Sequence, residues 1–174
     1  ILRVACDGRF IASDAPVVAY NQWCEGISYQ GVTGAACSGL QLFFPLSPQC
    51  MLMLFDEHVY SIDGEKAREI TINRPRDVHK INHLQCVFAQ ENIFFSEWND
   101  RHQLLNLVPR IAEIRSQHKP KLHVATAETI DPESGTASEL VHQYVQMPNV
   151  HLKLKFSELH RRAQDVPLHD RSRL

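Results

Sequence analysis

No Cys-x-x-Cys pair occurs among the five cysteines of this chain, Cys6, Cys24, Cys37, Cys50 and Cys86. Odd in number and scattered, they fit neither a disulfide framework nor a thiolate zinc site, and a reducing, cytoplasmic compartment is expected. Long apolar runs are absent too: stretches such as Cys50 to Phe55 fall far short of the ~20 residues that span a bilayer, so no membrane partner is expected. Glycine is sparse, and Gly26, Gly31, Gly34 and Gly39 follow neither a phosphate-cradling nor a dinucleotide spacing, so no cofactor can be assigned. There is no basic excess either. Eighteen Lys and Arg stand against 20 Asp and Glu, a net charge of -2, and charge gives no indication of nucleic acid. The opening Ile1-Leu2-Arg3-Val4 has no initiator methionine and no charged-then-apolar leader, so the chain reads as a fragment that begins inside a strand.

What is present is ordinary for a soluble domain. The 174 residues are 44% hydrophobic and 22% charged, enough to bury a core without staples. The first half reads as strands. Leu2 to Cys6 and Phe10 to Ala12 flank Asp7-Gly8, a dipeptide suited to a tight hairpin turn. Val17 to Tyr20 resumes an extended chain after Pro16, and Asn21 to Gly39 reads as a long loop. Leu40 to Leu46 and Cys50 to Phe55, on either side of Ser47-Pro48-Gln49, are apolar enough for central strands buried on both faces. Asp63-Gly64 turns the chain, and Ile70 to Ile72 adds an edge strand.

The second half turns helical. Val78, Ile81, Leu84, Val87 and Phe88 recur at helical steps over Asp77 to Gln90, with Asp77 as the N-cap behind Pro75. Ile93 to Ser96 reads as a short buried strand, and Gln103 to Gln117 as a second amphipathic helix that Pro109 kinks or interrupts. Leu122 to Val124 is a strand, Asp131 to Ala137 a turn, Ser138 to Val145 a helical turn or two, and Val150 to Phe156 alternates like an edge strand. The expectation is an α+β fold, a mixed and mainly antiparallel sheet covered by two or more helices. One domain spans residues 1–157, trimmed at its N-terminus, and a polar tail spans 158–174, where Arg161, Arg162, Arg171 and Arg173 make a solvated basic end.

Three motifs occur in order: Ile11-Ala-Ser13-Asp14-Ala-Pro16-Val17; Phe44-Pro45-Leu46-Ser47-Pro48 followed by Met51-Leu-Met-Leu54; and Asn82-x-x-Gln85-x-x-x-Ala89-x-x-x-Ile93-Phe-Phe-Ser96. As a set, from about Phe10 to Ser96, they resemble the bacterial family "domain of unknown function 4238". The resemblance implies that a front portion with a His-Tyr-Val-Pro-like motif is missing here, and it implies no chemistry.

Asp14 is the candidate catalytic residue. A carboxylate just past a strand end and ahead of a proline is placed to take a proton or hold a metal, whereas Ser13-Asp14-Ala-Pro16 is equally a turn whose side chains bond nearby N–H groups. Asn82 and Gln85 share one helix face and, with Ser13, are candidates for holding substrate, or else amides that satisfy loop carbonyls. His79 and His83 have the i,i+4 spacing of a metal pair but lack a third ligand, so no metal is assigned. Ser47 lacks the glycines of a nucleophile elbow, and Cys86 reads as a core thiol. Two functional readings stand side by side. One is an uncharacterised binding or regulatory module with a polar centre at Asp14, Asn82 and Gln85. The other is part of a metal-dependent hydrolase or nuclease completed by residues upstream.

Overall fold

In a computed structural model, the structure describes residues 1–27, 32–62, 68–98, 100–117, 122–130, 137–145 and 150–171. The elements run β1 (Leu2–Val4), β2 (Ala12–Ser13), β3 (Val18–Tyr20), β4 (Gln41–Ser47), β5 (Cys50–Phe55), β6 (Tyr60–Ile62), β7 (Ile70–Ile72), α1 (Pro75–Phe88), β8 (Ile93–Phe94), α2 (Asp100–Gln117), β9 (Leu122–Ile130), β10 (Ala137–Val145), β11 (Ser157–Leu159) and α3 (Arg161–Gln164). The expected Asp63-Gly64 turn, most of the 131–137 turn, Gly31 and Arg173 lie outside the described residues.

The main sheet has the order β3-β4-β5-β1-β7. Every pairing in it is antiparallel except β1 with β7, so the sheet is mixed and mainly antiparallel, and the fold is α+β. Ile70–Ile72 is the expected edge strand. The β4–β5 hairpin turns at Ser47-Pro48-Gln49, with a register irregularity between Pro45 and Ser47. Pro45 is tolerated there because β3 pairs with β4 only as far as Phe43, so no neighbour on that side asks for the missing N–H. β4 and β5 are not buried on both faces as expected. Phe43, Met51 and Met53 point into the core, while Phe44, Leu46 and Leu54 are exposed on the other side.

β1 does not form a hairpin with the segment after Asp7-Gly8. It pairs instead with β5 and β7, and β2 pairs with β8 in a separate ribbon, Ala12 opposite Phe94 and Ser13 opposite Ile93. The use of Gly8 is steric: a Cβ there would lie 3.1 Å from Val78 of α1, so the chain passes close over the helix. Residues 138–145, expected to make a helical turn or two, belong with Ala137 to β10, paired antiparallel with β9 along its whole length. Val141, Tyr144 and Val145 favour the extended state once a partner strand is present.

α1 starts at Pro75, in the first turn where its missing N–H costs nothing. Asp77 is therefore not the cap. It is buried in the first turn and pairs with Lys80 at 3.7 Å. α1 packs Val78, Ile81 and Leu84 onto the sheet, where they meet Leu2, Val18, Phe43, Met51 and Ile72. α2 is continuous through Pro109 and lays Leu104, Leu107 and Ile111 against Cys86 and Val87 on another side of α1. No helix among the described residues is long and apolar enough to cross a membrane.

Residues 150–156 keep the expected alternation, with Leu152 and Leu154 buried, but they form no strand ladder. Side chains from the loop after β3 take the place of a strand. Glu25 Oε1 accepts the N–H groups of Leu152 and Lys153 at 2.8 and 2.9 Å, and Gln22 Oε1 accepts that of Leu154 at 2.6 Å. Tyr20 donates its hydroxyl to the same Glu25 carboxylate.

The expected polar tail, residues 158–174, is held against the rest of the chain as far as it is described, to residue 171. β11 pairs with β6, and Trp23 donates its indole N–H to the Ala163 carbonyl at 2.7 Å. Arg171 stacks over the Trp23 ring at 5.6 Å and donates to the Trp23 carbonyl at 2.6 Å. An apolar and aromatic patch at Trp23, Val59 and Tyr60 thus recruits a polar segment that composition alone reads as solvated.

Candidate functional site

The residues singled out in the sequence converge on one strip of backbone, residues 9–16, where it crosses α1. Asn82 and Gln85, one turn apart on the helix, both face it. The Asn82 amide behaves like a residue of a neighbouring strand: its Oδ1 accepts the Ile11 N–H at 3.1 Å and its Nδ2 donates to the Arg9 carbonyl at 2.7 Å. One turn on, Gln85 Oε1 accepts the Ser13 hydroxyl at 2.9 Å and Nε2 donates to the Pro16 carbonyl at 2.8 Å. Ser13, Asn82 and Gln85 are all buried, Gln85 completely.

Asp14 sits at the far end of the strip, exposed, and the helix terminus explains its position. α1 ends at Phe88 with Ala89 as its C-cap, and the chain turns away through Gln90, Glu91 and Asn92. Their three successive N–H groups point at the Asp14 carboxylate, with distances of 2.8 Å from Gln90 to Oδ1, and 2.7 and 3.0 Å from Glu91 and Asn92 to Oδ2. Asp14 returns its own N–H to the Asn92 carbonyl at 3.1 Å. Desolvation pushes the Asp14 carboxyl up, but the bonds from Glu91, Gln90 and Asn92 together outweigh it and hold the group below the usual carboxylate range. Three backbone donors in a row form an anion nest, here filled by a side chain of the same chain.

The two histidines part company. His79 is exposed and His83 is buried at the edge of a cavity between α1, α2 and residues 150–155. Burial first, and the nearby Arg110 guanidinium second, push the His83 imidazole below its ordinary value. Among the described residues, no group of three His, Cys, Asp or Glu is placed to hold a metal ion. Burial pushes the Cys86 thiol up to about 11, which makes it a core thiol with little nucleophilic character at neutral pH. Ser47 occupies the β4–β5 turn and accepts the Gln49 N–H at 3.3 Å.

Sequence reasoning missed Gln22 and Glu25 and read Arg171 as solvated, whereas these three tie residues 152–154 and 171 to the loop after β3. The available signal was the alternation of apolar and basic residues over Val150 to Lys155, a strand pattern that had to find partners for its N–H groups. No curated protein and no solved structure matches the chain. The family described as "Protein of unknown function (DUF4238)" matches residues 1–98, the span that holds all three motifs and every residue of the polar strip, and the chain belongs to that family.

Proposed function

We propose that Ser13, Asp14, Asn82 and Gln85 form a lock that fixes the 9–16 segment on α1, and that the chain serves as a cytoplasmic binding or regulatory module with no chemistry at Asp14. One observation carries this reading: every side-chain nitrogen and oxygen of Asn82 and Gln85, and both oxygens of Asp14, are already engaged by the chain itself. Buried amides already bonded to the chain are poorly placed to hold substrate, and a carboxylate held ionised by three N–H donors is a poor proton acceptor near neutral pH. Cys24 and Cys86 are buried as thiols, in keeping with a reducing compartment. The hydrolase reading has no comparable observation behind it.

Thermal unfolding of Asp14→Ala and Asp14→Asn at neutral pH tests the lock. Both variants are expected to melt below the wild type, the alanine variant further below, because one amide oxygen replaces part of what the carboxylate accepts. An Asp14→Ala chain that melts with the wild type yet loses a metal-dependent phosphodiesterase activity present in the wild type would overturn the lock and restore the hydrolase.

A further inference from the structure

The cavity beside His83 is lined mainly by charged side chains. It measures about 770 Å³ and lies where the first turn of α1 meets α2 and residues 150–155. That volume is within the range of small-molecule sites, roughly 300–1,000 Å³. Six cations line it, Arg74, Arg76, Lys80, Arg110, Lys153 and Lys155, against the carboxylates of Asp77 and Glu113. Asp77 is buried and its charge is met by Lys80 at 3.7 Å. The whole chain has a net charge of -2, so this excess is a local concentration and not a general property of the surface.

The concentration has a structural origin. Arg76, Lys80 and His83 follow at i, i+4 and i+7 along one stripe of α1, while Lys153 and Lys155 alternate with the buried Leu152 and Leu154. α1 opens here with no side-chain cap, so its positive dipole end adds to the field. The second, independent observation is His83. It is 8% exposed, it lines the cavity, and its Nε2 has no hydrogen-bond partner among the described residues. An unpaired buried polar atom is unfavourable, so a small turn of this ring that brings Nε2 to a ligand acceptor in the adjoining cavity is favoured. Ile114, Val150 and Leu152 add an apolar wall.

We propose that this cleft binds a phosphate-bearing small molecule of nucleotide size, its phosphates held by Arg76, Arg110 and Lys153 with His83 Nε2 donating to one phosphate oxygen, and its uncharged part against the Ile114 wall. Recognition is by guanidinium and ammonium side chains and needs no glycine-rich loop, in accord with the absence of such a spacing. The proposal supplies a ligand for the binding module and rests on that reading.

Calorimetric titration of the full chain with ADP, inorganic pyrophosphate, adenosine and a short single-stranded RNA in low-salt buffer tests it. ADP and pyrophosphate are expected to bind and adenosine is not. Arg110→Glu and Lys153→Glu, both at exposed positions, are each expected to weaken ADP about tenfold or more, the scale of one lost charge-assisted contact. His83→Leu is expected to weaken it as well; should that variant fail to fold, the His83 ring resonances of the unmodified chain are expected to shift as ADP is added. Failure of both ADP and pyrophosphate to bind, or unchanged affinity in both charge reversals, overturns the site, and RNA binding tighter than ADP overturns the small-molecule assignment. ADP recovered intact upholds the module as well as the site, whereas ADP bound and hydrolysed leaves the site standing and overturns the non-catalytic reading.

Discussion

At the scale of single residues, the polar strip shows how a side chain can look catalytic and be structural. Ser13 and Gln85 depend on each other. In Gln85→Leu the Ser13 hydroxyl and the Pro16 carbonyl lose their partner inside the protein, and the cost is expected to be about 2–4 kcal/mol. Ser13→Ala leaves the buried Gln85 Oε1 without its donor and is expected to cost about 1–3 kcal/mol. Urea unfolding of the two single variants and the double variant is expected to show a coupling of about 1 kcal/mol, and additivity to within about 0.3 kcal/mol would disprove the contact. Asp14 makes a pH prediction. Its folded pKa is depressed, so its stabilisation is fully present above the unfolded value of about 3.9 and is lost as pH falls through the lower folded value. The gap in melting temperature between wild type and Asp14→Ala is therefore expected to be widest near neutral pH and to close in strong acid. A gap that widens on acidification would contradict the bonding of Asp14 to residues 90–92.

At the scale of elements, α1 is the hub, because its faces answer to different partners: Val78, Ile81 and Leu84 to the sheet, Cys86 and Val87 to α2, Asn82 and Gln85 to residues 9–16, and Lys80 with His83 to the cavity. Its hydrophobic period is plain in the sequence, and so is the helix. The partners of its polar faces are not, since an amide at a given helix position is compatible with any backbone brought to it. Loops can also be rigid for a stated reason. Gly39 sits just ahead of β4 at φ +78°, and a Cβ there would come within 2.7 Å of Asn21 Oδ1 and 3.0 Å of Trp23 Cβ. Asn21 and Tyr60 bond across the same turn, Asn21 Nδ2 to the Ser38 carbonyl at 2.9 Å and the Tyr60 hydroxyl to the Gly39 carbonyl at 2.7 Å. Gly39→Ala combines a left-handed backbone with these overlaps and is expected to lower the melting temperature by roughly 5 °C or more in a chain of this size. A melting curve that overlays the wild type would show that the turn can adopt another conformation.

At the scale of the molecule, the chain closes on itself: its last described residues cap a cluster that the loop after β3 begins. Removing residues from 157 onward takes away the partner strand of β6, the Ala163 carbonyl that holds the Trp23 indole, the Ser157 hydroxyl that receives the buried Gln41 amide at 2.6 Å, and the Arg171 contacts. Truncation after Phe156 is expected to lower the urea midpoint markedly and to shift the Trp23 fluorescence toward that of solvent-exposed indole. An unchanged midpoint would mean that the segment is accessory.

The sequence alone determined the α+β class, the β4–β5 hairpin, the edge strand Ile70–Ile72, both long helices and the family, because each rests on local periodicity or on short ordered motifs. Tertiary structure decided that β1 joins β5 and β7 instead of folding back on its neighbour, that 137–145 is extended, that residues 157–171 are held in place, and that Asp14 faces three amides at the end of α1. Strand pairing and hydrogen-bond partners are choices among segments far apart in sequence, settled by which arrangement buries the apolar faces and leaves the fewest polar groups unpaired. The basic cavity belongs to this second class: its cations come from residues 74 to 155, and only the packing of α1, α2 and the segment after Val150 brings them together.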